Sequence, residues 1–150
     1  MSGIRYFAYG SNLDAEQMAL RCPSARRLFR ACLRDHRLDF TYFSKRWSGG
    51  SADVVPHFGA NVWGIVYELD PAEVPELDRF EGGYQRIFLS VNDDQERTHP
   101  VLSYEVPVKR SFRPTASYLG KIILWGERWS LPREYLEGLR RIPVIPEPGA

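Results

Sequence analysis

Glu81 lies four residues after Leu77 and seven after Val74, so a helix through this stretch puts its carboxylate on the same face as two apolar side chains. Desolvation there raises a carboxyl pKa toward neutrality, where one group can both take and return a proton. A helix-end acid turned into water beside Gly82 fits the same spacing. The second chemical segment is Tyr9-Gly10-Ser11-Asn12-Leu13. Gly10 permits a sharp turn, and the amides that follow, at a helix start, favour a carboxylate or an oxyanion. Ser11 and Asn12 add side-chain hydrogen bonds to a small polar ligand, although an ordinary capped turn uses the same residues. Tyr84, Tyr104 and Tyr118 end strands or sit in a late helix. Each alone is suited to core packing with its hydroxyl at the surface, and together they can orient a buried acid.

Other chemistries lack their parts. His36, His57 and His99 have no metal-ligand spacing, so no metal site is expected. There is no G-x-S-x-G elbow, no P-loop and no G-x-G-x-x-G after a strand, which leaves a cofactor-free site built from carboxylates, tyrosines and backbone amides. Twenty basic and nineteen acidic residues give a net charge of +1, so neither nucleic acid nor an anionic membrane is implied as a partner. The charge is uneven along the chain: +5 over residues 1–50, −7 over 51–100 and +3 over 101–150. Solvated faces are the commoner outcome of such a pattern, with pairing between the segments as the alternative. Cys22 and Cys32 show no C-x-x-C spacing and read as reduced thiols, favouring the cytoplasm. No signal peptide and no membrane span are expected.

The positioning elements follow from periodicity. The 150 residues suit one α+β domain, which would bury roughly 68–70% of its unfolded surface. Ile4 to Tyr9 reads as a buried strand, followed by a helix capped by Ser11 or Asn12 and ended by Pro23. Leu28 to Leu33 and Leu38 to Tyr42 read as two strands with Arg34-Asp35-His36 as the turn between them. Ser44 to Asn61, rich in Gly, Ser and Pro, reads as a long loop able to cover a site. Val62 to Leu69 is a central strand, and Asp70-Pro71-Ala72-Glu73 starts a short helix whose regular part, because of Pro75, begins with Glu73 or Val74 as its cap. Tyr84 to Val91 and Pro100 to Val108 form a hairpin with Asn92-Asp93-Asp94-Gln95 at its tip. Two helices follow, the first burying Tyr118, Ile122, Trp125 and Trp129, the second capped near Ser130 and burying Leu131, Tyr135, Leu139 and Ile142. The domain spans 1–142, and 143–150 is a proline-rich tail, mobile or laid along the surface.

Three blocks, Tyr6-Phe7-Ala8-Tyr9-Gly10-Ser11-Asn12-Leu13, Val62-Trp63-Gly64-Ile65-Val66-Tyr67 and Leu77-Asp78-Arg79-Phe80-Glu81-Gly82, resemble the gamma-glutamylcyclotransferase family in content and order. Arg21-Cys22-Pro23-Ser24-Ala25, Trp47-Ser48-Gly49-Gly50, Ser117 to Ile123 and Leu131-Pro132-Arg133-Glu134-Tyr135 extend the likeness over nearly the whole chain. The resemblance implies a small mixed β-barrel flanked by helices and a cytoplasmic enzyme without cofactor. Tyr9, Gly10, Ser11, Asn12 and Leu13 would hold the gamma-glutamyl group and Glu81 would move the proton. Tyr104 and Tyr118 fall where family tyrosines line the cavity. Tyr84 is a looser match, because the stretch after Glu81 is shorter here than in mammalian-type enzymes.

The YGSNL turn differs from the YGSL type of the glutathione-directed branch and the YGTL type of the gamma-glutamylamine branch, yet Phe80-Glu81-Gly82-Gly83-Tyr84-Gln85-Arg86 is similar to the latter. The implied partner is a small gamma-glutamyl compound, whose α-amine closes onto its side-chain carbonyl to give 5-oxoproline and a free amino acid or amine. Two rivals share the fold: removal of a gamma-glutamyl protecting group from a biosynthetic intermediate, and a non-catalytic small-ligand pocket. A homodimer is permitted by exposed aromatics and by the tail.

Overall fold

The computed structural model describes residues 3–146. Five strands, β1 (Ile4–Ala8), β2 (Arg26–Ser44), β3 (Gly49–Leu69), β4 (Gln85–Asn92) and β5 (Thr98–Glu105), close into a barrel in the order β1-β3-β2-β4-β5. The closing pair is parallel, with Tyr6 of β1 opposite Leu102 of β5, and the other pairings are antiparallel. The small mixed barrel is therefore the architecture that the sequence resemblance implies. Its core holds Phe7, Val54, Val62, Ile65, Val66, Val91 and Val101, all buried, each burial stabilising by about 1.5–3 kcal/mol.

Two expectations give way here. Arg34-Asp35-His36 does not end a strand, because β2 runs through it as a bulge. The register passes from Arg34 opposite Asn61 to His36 opposite Pro56, so residues 57–60 bow out against Asp35. Asp35 adopts φ 57°, and its carboxylate accepts from Gly59 N at 3.0 Å. Turn-forming residues thus bend a continuous ribbon, which a barrel needs in order to close. Nor is the stretch from Ser44 to Asn61 a long loop: β3 begins at Gly49, and only residues 45–48 turn. Its glycine serves packing, since a Cβ on Gly50 would lie 2.9 Å from the Cβ atoms of both Phe40 and Phe112.

The first helix begins slightly beyond its predicted cap, and the second starts at the caps expected for it. Ser11–Leu13 form a 3₁₀ turn, and Asp14 caps α1 (Ala15–Arg21) by accepting from Glu16 N and Gln17 N. Asp70 caps a second 3₁₀ turn at Pro71–Glu73, and Glu73 occupies the cap position of α2 (Val74–Phe80). The hairpin tip lies at 93–97, where the Asp93 carboxylate accepts from Gln95 N and Arg97 N.

In α3 (Ala116–Arg128) Tyr118, Leu119, Ile122 and Trp125 are buried, and α4 (Arg133–Arg140) contributes Leu136 and Leu139. Ser130 is not the cap of α4: it lies in the link at φ 57°, and Pro132 takes the cap position without a side-chain bond. Of the tail, Ile145 pairs in parallel with Thr115 and donates its N–H to Pro114 O, while 147–150 lie outside the described residues.

Cys22 and Cys32 are free and buried. Part of the segmental charge is paired, through Arg26–Glu68, Arg30–Asp94 and Arg34–Glu96, at about 0–1 kcal/mol each for such partly exposed pairs. No helix among the described residues is long and apolar enough to cross a membrane.

Candidate active site

Where β1 ends, Tyr9 and Gly10 lead into the 3₁₀ turn, which is held by Leu13 N to Gly10 O and Asp14 N to Ser11 O. The Leu13 side chain is fully buried, and its carbonyl accepts from Trp129 Nε1 at 2.7 Å. Leu13 therefore anchors the turn from the core and does not line the cavity. On the facing wall α2 ends at Glu81, whose N–H donates to Leu77 O and Asp78 O. Val74 and Leu77 are buried, so the spacing that aligned Glu81 with them carries its carboxyl inward and not beside Gly82 into water.

A cavity of about 190 Å³ lies between turn and acid, and Tyr9, Gly10, Ser11, Asn12, Glu81, Tyr84, Tyr104 and Tyr118 all border it. Burial pushes the half-buried Glu81 from an ordinary 4.5 up to about 7, against smaller downward pulls from Arg21 and from the Asn12 amide. Asn12 Nδ2 donates to Glu81 Oε1 at 2.9 Å and to Tyr6 Oη at 2.9 Å. Its Oδ1 accepts from Gln17 Nε2 and Arg21 Nη1. Burial also raises the tyrosine hydroxyls around the acid, at Tyr6, Tyr9, Tyr84, Tyr104 and Tyr118, well above their usual value. They stay protonated at neutral pH, leaving Glu81 as the cavity group poised to exchange a proton there.

Most of the predicted tyrosines spend their hydroxyls on the scaffold. Tyr9 donates to Tyr104 O (2.6 Å) and Tyr104 to Asp78 Oδ1 (2.5 Å), which ties β5 to α2. Tyr118 Oη accepts from Ala52 N (2.9 Å), and Tyr84 donates to Ala52 O (2.6 Å). Both polar groups of one β3 residue are thus gripped from the cavity side. The sequence reading missed Tyr6, Arg21, Tyr42, Arg46, Trp47 and Phe80, which also border the cavity. Helical spacing puts Arg21 beside Gln17 on α1, but no pattern along the chain shows that this face meets Asn12.

Residues 61–139 match the AIG2-like family. Over 145 residues the chain is 36% identical to a gamma-glutamylcyclotransferase of Mus musculus and 34% to that of Homo sapiens, covering 91% of this chain and 77% of each relative. The chain belongs to the gamma-glutamylcyclotransferase family. A solved gamma-glutamyl cyclotransferase superposes with a TM-score of 0.94 at 33% identity, over 99% of this chain and 92% of that one. The same gamma-glutamylcyclotransferase fold extends to a glutathione-specific yeast protein at 15% identity and a TM-score of 0.65.

Proposed function

We propose that this chain is a gamma-glutamylcyclotransferase in which Glu81 carries the proton and the turn from Tyr9 to Asn12 holds the gamma-glutamyl group. The observation that carries the reading is a carboxyl raised to about 7 at the cavity wall, facing that turn and held by it through Asn12. The substrate α-ammonium gives a proton to Glu81. The freed amine attacks the γ-carbonyl carbon and forms the ring C–N bond. The bond to the leaving nitrogen then breaks as Glu81 returns the proton to it, and the second proton of the new ring nitrogen passes through the freed Glu81 carboxylate to the departing amine, releasing 5-oxoproline and the amine as its ammonium form. Confinement of the glutamyl arm supplies the intramolecular advantage, worth effective molarities on the order of 10⁵–10⁸ M in well-oriented systems. Because Leu13 N and Asp14 N are already bonded back to the turn, the amides from Gly10 to Asn12 are the ones assigned to substrate oxygen.

The rim favours a leaving amino acid over a plain amine. Arg46 is exposed, borders the cavity and stacks its guanidinium over Trp47 at 5.7 Å, yet it makes no ion pair with a described residue. A leaving group with a free carboxylate would give it one. Incubation with gamma-glutamyl amino acids, gamma-glutamyl amines and glutathione, scored for 5-oxoproline, tests both parts. Fastest turnover of a gamma-glutamyl amino acid is expected. Turnover of amines alone would refute the rim assignment, and turnover of none would leave only a binding pocket.

A further inference from the structure

The two ends of an Asn or Gln amide have nearly the same shape and opposite hydrogen-bonding character, so the neighbours decide which end faces a catalytic group. Asn12 Oδ1 meets Arg21 Nη1 at 3.0 Å and Gln17 Nε2 at 2.9 Å. Arg21 can only donate, so this end must be the oxygen. Gln17 presents the same ambiguity one step further out, and there Lys121 resolves it. The Lys121 ammonium, another pure donor, touches Gln17 Oε1 at 2.5 Å and is itself held by Asp14 at 3.3 Å. Gln17 therefore turns Nε2 inward, to Asn12 Oδ1 and to Ser11 Oγ at 3.0 Å. The Asn12 NH₂ then has one direction left, toward Tyr6 Oη and Glu81 Oε1.

We infer that Gln17 and Lys121 are positioning residues that act through Asn12 to keep Glu81 Oε1 a permanent acceptor, so that the travelling proton resides on Oε2. The inference rests on the reading of Glu81 as the proton carrier. Neither Gln17 nor Lys121 borders the cavity, so neither needs to touch substrate. If Asn12 turned over, its oxygen would accept a proton from Glu81 Oε1 and hold it on the wrong side of the carboxyl. The other groups facing Glu81 are Arg21 from α1, Tyr6 from β1, Tyr9 just after it, Tyr84 ahead of β4, Tyr104 from β5 and Tyr118 from α3. The tyrosines stay protonated near neutrality, so a limb in that range of the rate profile reports Glu81.

Gln17→Glu places an acceptor where Asn12 Oδ1 needs a donor, whereas Gln17→Met removes the donor without adding an acceptor and leaves Arg21 in place. Gln17→Glu is expected to lower kcat about tenfold with KM within about twofold, and to move the neutral limb of the kcat profile upward by about half a unit or more. Gln17→Met is expected to change both much less. If the Gln17→Glu variant does not fold, Lys121→Met, which frees Gln17 to turn over, takes its place with a smaller shift in the same direction. Glu81→Gln is run in parallel. An inactive Glu81→Gln enzyme, together with an unshifted profile in the folded Gln17→Glu or Lys121→Met variant, overturns the positioning role alone. Parent-like turnover by Glu81→Gln overturns the proton-carrier reading and the positioning role with it.

Discussion

Asn12 and Glu81, 69 positions apart in the chain, share a hydrogen bond of 2.9 Å from Nδ2 to Oε1. It joins the turn after β1 to the end of α2, so the group assigned to hold substrate also positions the group assigned to move the proton. Asn12→Asp would set a second carboxylate against Glu81 and remove its donor. Both effects raise the Glu81 pKa. The expected result is a neutral pH limb shifted upward and kcat lowered by about 10²-fold, read from pH–rate profiles of parent and variant.

Glu81 also couples stability to pH. Its pKa rises from 4.5 to about 7 on folding, so the folded state holds the proton more tightly than the unfolded chain. The resulting stabilisation is fully present below about 4.5 and is lost as pH rises through about 7. Glu81→Gln escapes that loss. Denaturant titrations should find the variant more stable than the parent above about pH 7, by at most about 3 kcal/mol, with the advantage disappearing near about pH 4.

The two tyrosines on Ala52 should differ when shortened to phenylalanine. Tyr118→Phe leaves the buried Ala52 N–H without its acceptor, at a cost of about 1–3 kcal/mol. Tyr84→Phe removes a donor to Ala52 O and the contact with Ser51 Oγ, and carbonyls tolerate such a loss better. Thermal melts should show the larger drop for Tyr118→Phe.

Chemistry was more legible in the chain than backbone path. Leu77 and Val74 pointed Glu81 inward correctly, because α2 keeps helical spacing up to its last residue. Gly10 and Asn12 announced the turn, since tight turns demand particular residue types. The Gly-rich run after Ser44 misled, because Gly50 makes room for Phe40 and Phe112, and a contact between distant segments leaves no local trace. Asp35 likewise carries the chemistry of a turn and is used in a bulge. Gln17 and Arg21 sit in unremarkable helical sequence, and only the packing of α1 against the turn brings them to Asn12.

At the rim, Arg46→Met should raise KM for gamma-glutamyl amino acids about five- to tenfold, as expected for loss of one partly solvated charge contact. KM for a gamma-glutamyl amine of similar size should stay unchanged. Steady-state assays with the matched pair of substrates separate a carboxylate contact from a general loss of packing on Trp47.

The most direct measurement is 5-oxoproline release from a gamma-glutamyl amino acid by folded Glu81→Gln, with substrate binding followed in the same preparation. Binding within a few-fold of the parent, and turnover reduced by roughly 10²–10⁴, is the outcome predicted for a proton carrier. Release at the parent rate would contradict it.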